Sequence, residues 1–128
     1  MKRSTLLIIA LACHLLACVL FLFANDLGLF LYKQLQGAAD TRGYAPGAVT
    51  RLALLHVVVA NLLMALTPKR ALKIGIALLM CGSLAWMLLP HYPLRASFYC
   101  GLLLALSLGA MMASSWIGQW HHNSRSPD

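Results

Sequence analysis

Four stretches of this chain, residues 5–24, 48–67, 71–89 and 97–118, are long, apolar and almost free of charge, and this feature restricts the fold more than any other. A helix needs roughly 20 apolar residues, with about 17 as the lower limit, to cross the hydrocarbon core of a bilayer. Water cannot be the only solvent of such a chain. Charged residues make up 10% of the sequence, against roughly 25% in an ordinary soluble domain. In lipid every backbone N–H and C=O must be satisfied within the protein, and continuous apolar runs point to helices where a barrel would show alternation over about ten residues. The expected fold class is therefore all-α: a polytopic membrane protein with four transmembrane helices in an antiparallel bundle, forming a single membrane domain over residues 1–128.

The punctuation agrees with the hydropathy. Pro68, Pro90 and Pro93 fall between runs, where a residue that cannot continue a helix belongs. The first run follows Lys2 and Arg3. The second has Arg51 near its edge, and the third has Lys73 in its first turn, from which a long side chain can snorkel to the headgroups. Short links between runs two, three and four make those neighbours antiparallel.

The long connection, residues 25–47, opens with Asn25 and Asp26, which are good helix caps, and continues with Leu27, Phe30, Leu31 and Leu35 at helical spacing. It reads as a short interfacial helix after the first span, followed from residue 38 to 46 by a loop. The competing reading is one long first helix from residue 4 to 36 that protrudes from the membrane.

Orientation follows from Lys and Arg near the span ends. With the amino terminus inside, Lys2, Arg3, Lys69, Arg70, Lys73 and Arg125 lie inside, and Lys33, Arg42, Arg51 and Arg95 lie outside. Both termini are then cytoplasmic. Short loops and composition point to a bacterial inner membrane. Trp86, Tyr92, Tyr99, Trp116 and Trp120 fall near span ends, as an aromatic belt would. The net charge of +7 is a topology signal with attraction to anionic headgroups, and Lys69, Arg70 and Lys73 serve it without a nucleic-acid role. A signal-peptide reading of the first run, with 15–18 as a lipoprotein box, is weakened by the apolar residues after Cys18 and by His14 within the hydrophobic stretch.

Ionisable groups are costly in lipid and are the first functional candidates there. No Asp, Glu or Arg lies at the middle of any run, which removes the simplest proton-coupled or cation-coupled transporter. His14, His56 and Asn61 remain. The histidines could ligate a haem or metal between helices, but their depths differ by about 7 Å at 1.5 Å per residue. The alternative is that each ring, and Asn61, hydrogen-bonds within the bundle for about 0.6–2 kcal/mol.

Cys13, Cys18, Cys81 and Cys100 match no zinc or redox spacing and read as small packing residues. His121 and His122 could take up a metal opportunistically, though a solvated tail explains them. No cofactor is expected. Asp26 and Arg51 are a candidate ion pair at the outer boundary, of small energetic value, and Asp40, Arg42 and Tyr44 make a polar loop.

The last run repeats Gly101, Ala105, Gly109 and Ala113 at every fourth position, a stripe that lets another helix approach closely. The third offers Ala77, Cys81 and Ala85, with Gly75 and Gly82 thinning a neighbouring face, and the two stripes are expected to pack on each other. The alternative is a surface for a membrane partner or a second copy. The leading functional expectation is a non-catalytic accessory, assembly, regulatory or immunity-like protein acting through helix contacts. A small oligomeric transporter or channel using His14 and Asn61 is the alternative, followed by a haem or redox subunit using His14 and His56.

Overall fold

A computed structural model describes residues 3–36 and 46–124. Within these residues every regular element is a helix: α1 (Arg3–Gln36), α2 (Pro46–Leu66), α3 (Arg70–Leu88) and α4 (Pro93–Asn123). Each of the four is long and apolar enough to cross a membrane. The expected loop over 38–46 lies almost wholly outside the described residues, with Asp40, Arg42 and Tyr44. So do Lys2, Arg125 and the side chains of His121 and His122.

Prolines set two of the helix starts. Pro46 and Pro93 each stand at the first helical position, where the missing N–H has no intrahelical partner to lose and the fixed φ is already helical. Between α2 and α3 the chain turns over Thr67, Pro68 and Lys69, with Lys69 extended at φ −86° and ψ 126° ahead of the first turn of α3. Between α3 and α4, the N–H of Tyr92 reaches the Leu88 carbonyl at 2.7 Å and tightens the reversal around Pro90.

The separate interfacial helix expected after the first span is instead the C-terminal third of α1. That helix runs unbroken for 34 residues, about 51 Å at 1.5 Å per residue, against a hydrocarbon thickness of roughly 30 Å. Asn25 does not cap anything. It is buried, and its side-chain oxygen accepts a hydrogen bond from the Tyr99 hydroxyl at 2.9 Å. Gly28 lies within the same unbroken helix with the Phe98 ring of α4 against it: a Cβ on Gly28 would fall 2.6 Å from Cζ of Phe98.

The helices form a four-membered bundle in which α1 and α3 each pack on α2 and α4, α2 touches α4 across the middle, and α1 and α3 stand diagonally. Each helix turns a row at helical spacing to the centre. The rows are Ala10, His14, Ala17, Phe21 and Asn25 on α1, and Ala53, Val57, Ala60, Asn61 and Met64 on α2. Facing them are Lys73, Ala77, Leu84 and Leu88 on α3, and Ala96, Tyr99, Leu103, Ser107 and Ala110 on α4. The exterior is as apolar as the interior: Phe23, Leu79 and Met112 are each more than two-thirds exposed. A chain that is hydrophobic on all sides of its helices needs lipid around it, and the protein is a membrane protein.

Of the expected aromatic belt, Trp86, Trp116 and Trp120 face outward, but Tyr99 is a core residue at 3% exposure. Its ring packs on Phe21 and Phe98 with centroids 6.0 and 5.4 Å away. Lys73, in the first turn of α3, is 8% exposed, and a buried stem is what a snorkelling lysine has.

Candidate functional site: two polar layers in the bundle

Two polar layers interrupt the apolar axis. The first is centred on Tyr99. Its hydroxyl donates to Asn25 Oδ1, so its oxygen is free to accept, and Thr50 Oγ1 lies 3.1 Å from it as the donor. Asn25 Nδ2 in turn donates to Asp26 Oδ1 at 3.3 Å. Helices α1, α2 and α4 are tied together by one chain of bonds, as buried polar groups require.

The second layer is centred on Asn61, 1% exposed. Its Nδ2 donates to the Val57 carbonyl at 2.9 Å and to Ser107 Oγ at 3.3 Å. A carbonyl can only accept, so this amide orientation is set, and Asn61 Oδ1 faces His14 Nδ1 at 2.7 Å. An amide oxygen cannot donate. The His14 Nδ1 therefore carries the proton, and in the neutral ring the lone pair sits on Nε2. That Nε2 atom is buried and has no hydrogen-bond partner.

Between the layers the axis is apolar and closely packed. Phe21, Ala53, Val57, Leu84 and Leu103 are all at 0% exposure and pack into one cluster. A file of water through the bundle would have to displace them.

The structure thus brings His14 and Asn61 together, with Ser107 beside them. Ser107 was not a sequence candidate: one serine in an apolar run carries no periodic signal, and only the position of Asn61 across from it gives it a role. His56 stands apart. Its Nδ1 bonds the Leu52 carbonyl of its own helix at 2.8 Å, and it lies five positions, about 7.5 Å along α2, from Asn61. The described His, Cys, Asp and Glu residues form no group of three able to hold a metal.

The cysteines are free and half-buried, and Cys100 Sγ approaches the Cys81 carbonyl at 3.5 Å. Among the described residues no ion pair joins Asp26 to Arg51; both are exposed, and Asp26 is taken up by Asn25.

The stripe on α4 departs from expectation. Gly101, Ala105, Gly109 and Ala113 are all exposed, so they do not pack on Ala77, Cys81 and Ala85 of α3. Tyr99, Leu103 and Ser107 decide which side of α4 faces the bundle, since a tyrosine hydroxyl and a serine hydroxyl need covered partners. At about 100° per residue, positions two along from these point to the opposite side. A Cβ built on Gly101 or Gly109 would have no neighbour within 4 Å. No protein-family model matches this chain, and no curated protein or solved structure matches it either.

Proposed function

We propose that this chain is a small, non-catalytic membrane protein that acts through lateral helix contacts, as an accessory, assembly, regulatory or immunity-like subunit. The observation that carries the reading is the outward position of the Gly101, Ala105, Gly109 and Ala113 stripe, with open space over both glycines. Small residues at a helix surface let a second backbone approach closely, and in lipid such packing replaces the hydrophobic effect as the force between helices. The bundle does not need this face for its own packing, which leaves it for a membrane partner or a second copy.

The same reading takes the bundle as antiparallel in a bacterial inner membrane with both termini cytoplasmic. Supporting the antiparallel course, Tyr99 near the start of α4 meets Asn25 late in α1, whereas Leu6 early in α1 lies 3.3 Å from a Cβ on Gly118 late in α4. The excess of Lys and Arg around the α2–α3 turn supports the orientation.

A transporter or channel using His14 and Asn61 is the second reading, favoured by the unpartnered Nε2 of His14 and opposed by the packed apolar cluster between the layers. Affinity purification in mild detergent, with partner identification, native mass and a visible spectrum from one sample, separates the readings. Recovery of a defined larger membrane complex, lost on substitution of Gly101 and Gly109 by leucine, is the expected result. A colourless, partner-free homo-oligomer indifferent to those substitutions would overturn it in favour of transport, and a haem absorption band would return attention to His14 and His56.

A further inference from the structure

Beside the Tyr99 layer, toward the end of α1 and the start of α4, the surface opens into a groove of about 510 Å³. Gly28, Leu31 and Tyr32 line it from α1, and Leu94, Arg95 and Phe98 line it from α4. Because Gly28 carries no side chain, the Phe98 ring comes in against α1. The volume falls in the range, about 300–1,000 Å³, of sites that take small-molecule ligands. At this end α1 outruns its neighbour. From Asn25 to its last residue α1 rises about 16 Å, whereas from Tyr99, bonded to Asn25, back to its first residue α4 covers about 9 Å. Leu35, also in the wall of the groove, is 86% exposed.

The charge in this wall is positive. Arg95 is half-buried there, with its guanidinium 5.1 Å from the centre of the Tyr92 ring. Its five N–H donors form a fixed fork that matches phosphate oxygens and can serve more than one partner. Ser97, also in the wall, turns its hydroxyl to the Pro93 carbonyl of its own helix. Lys33 stands exposed in the last turn of α1, next to Tyr32. Asp26, the one acidic side chain among the described residues, takes a hydrogen bond from Asn25. A complementary occupant is apolar over most of its length and anionic at one end. Within a bilayer an anionic phospholipid has that chemistry, and basic pockets between membrane helices take such headgroups.

We propose that this groove binds one anionic phospholipid, with a tail lying between α1 and α4 against Leu31 and Phe98 and the phosphate accepting hydrogen bonds from the Arg95 guanidinium. Arg95 stands one turn nearer the start of α4 than Tyr99, so the headgroup lies at the end of the bundle and the tail runs toward the Tyr99 layer. The bound lipid covers the apolar flank by which α1 outruns α4. Phosphatidylcholine offers the same tails and the same phosphate but carries a compensating ammonium, so net headgroup charge is what the site distinguishes.

The test is native mass spectrometry of the full chain in mild detergent, with phosphatidylglycerol and phosphatidylcholine of identical tails added in equal amounts. The expected result is one lipid retained per chain, with phosphatidylglycerol preferred about fivefold, the discrimination that one cation near a headgroup supplies. Arg95→Gln should retain the two lipids equally. Leu31→Trp, which fills the groove from α1, should lower retention of both, and far-UV circular dichroism checks that each variant keeps its helices. The wild-type competition decides the headgroup preference without any variant. Equal retention by the wild type, a preference unchanged in Arg95→Gln, retention unchanged in Leu31→Trp, or a lipid-free dimer would each overturn the proposal.

Discussion

The Tyr99 layer and the His14 layer are built from the same materials in the same bundle, yet one is closed and the other is open. In the first, Thr50, Tyr99, Asn25 and Asp26 pass hydrogen bonds along a chain that ends on an exposed carboxylate. In the second, Asn61 gathers three bonds, but the histidine it holds keeps a buried nitrogen without a partner. A closed layer is what clamping helices requires. An open one clamps through its bonds at some cost, because a buried polar atom without a partner costs about 1–3 kcal/mol. The difference separates a layer whose buried polar atoms are paired from one with a buried acceptor left over.

If Asn61 is the tie on the open side, removing it should have the largest effect. Asn61→Leu strips the donor's partner from His14 Nδ1 and the donor from Ser107, and we expect a loss of about 2–3 kcal/mol in reversible unfolding from mixed micelles. A loss under about 0.5 kcal/mol would mean that the two layers do not differ as described.

Tyr99→Phe comes next. It keeps the ring packing on Phe21 and Phe98 but leaves Asn25 Oδ1 and Thr50 Oγ1 without their shared partner, for an expected loss of about 1–2 kcal/mol in the same assay. The effect should be smaller than at Asn61 because Asn25 keeps its bond to Asp26 and Thr50 sits near the helix end.

His14→Phe sharpens the contrast. The substitution removes one hydrogen bond together with the unpartnered nitrogen, and the two changes offset each other in part. The expected loss is under about 1 kcal/mol. In combination with Asn61→Leu the losses should be less than additive, since both break the same bond. A loss at His14 as large as that at Tyr99 would show that the second nitrogen is tightly satisfied and the layer closed.

Much of this was legible before any coordinates. The spans were visible because lipid demands about 20 apolar residues in a row, and His14, His56 and Asn61 stood out because polar groups are conspicuous in such runs. The end of the first helix was not decided by the sequence. Asn25 and Asp26 have the chemistry of caps, and only the contact with Tyr99, a residue 74 positions away, explains why the helix runs through them. Tyr99 itself was misplaced in the headgroup region because hydropathy locates a residue along a helix but says nothing of the side it faces. The same limit applied to the α4 stripe. Small residues at every fourth position mark a face, and which way that face turns depends on the neighbours that Tyr99, Leu103 and Ser107 find across the bundle.

That stripe supplies the smallest expected effect on stability and the most direct check on function. Gly101→Leu and Gly109→Leu add side chains into open space, and leucine is the better helix former by up to about 1 kcal/mol per site. Unfolding of the isolated bundle should therefore shift by no more than about 0.5 kcal/mol in the destabilising direction, while both polar layers, on the other side of α4, stay intact. Co-purification of a partner or a second copy should nevertheless be lost, because a leucine at either position holds the approaching backbone away. If stability fell by as much as in Asn61→Leu, the face would belong to the bundle after all, and the division of α4 into a side that folds the protein and a side that meets another helix would fail.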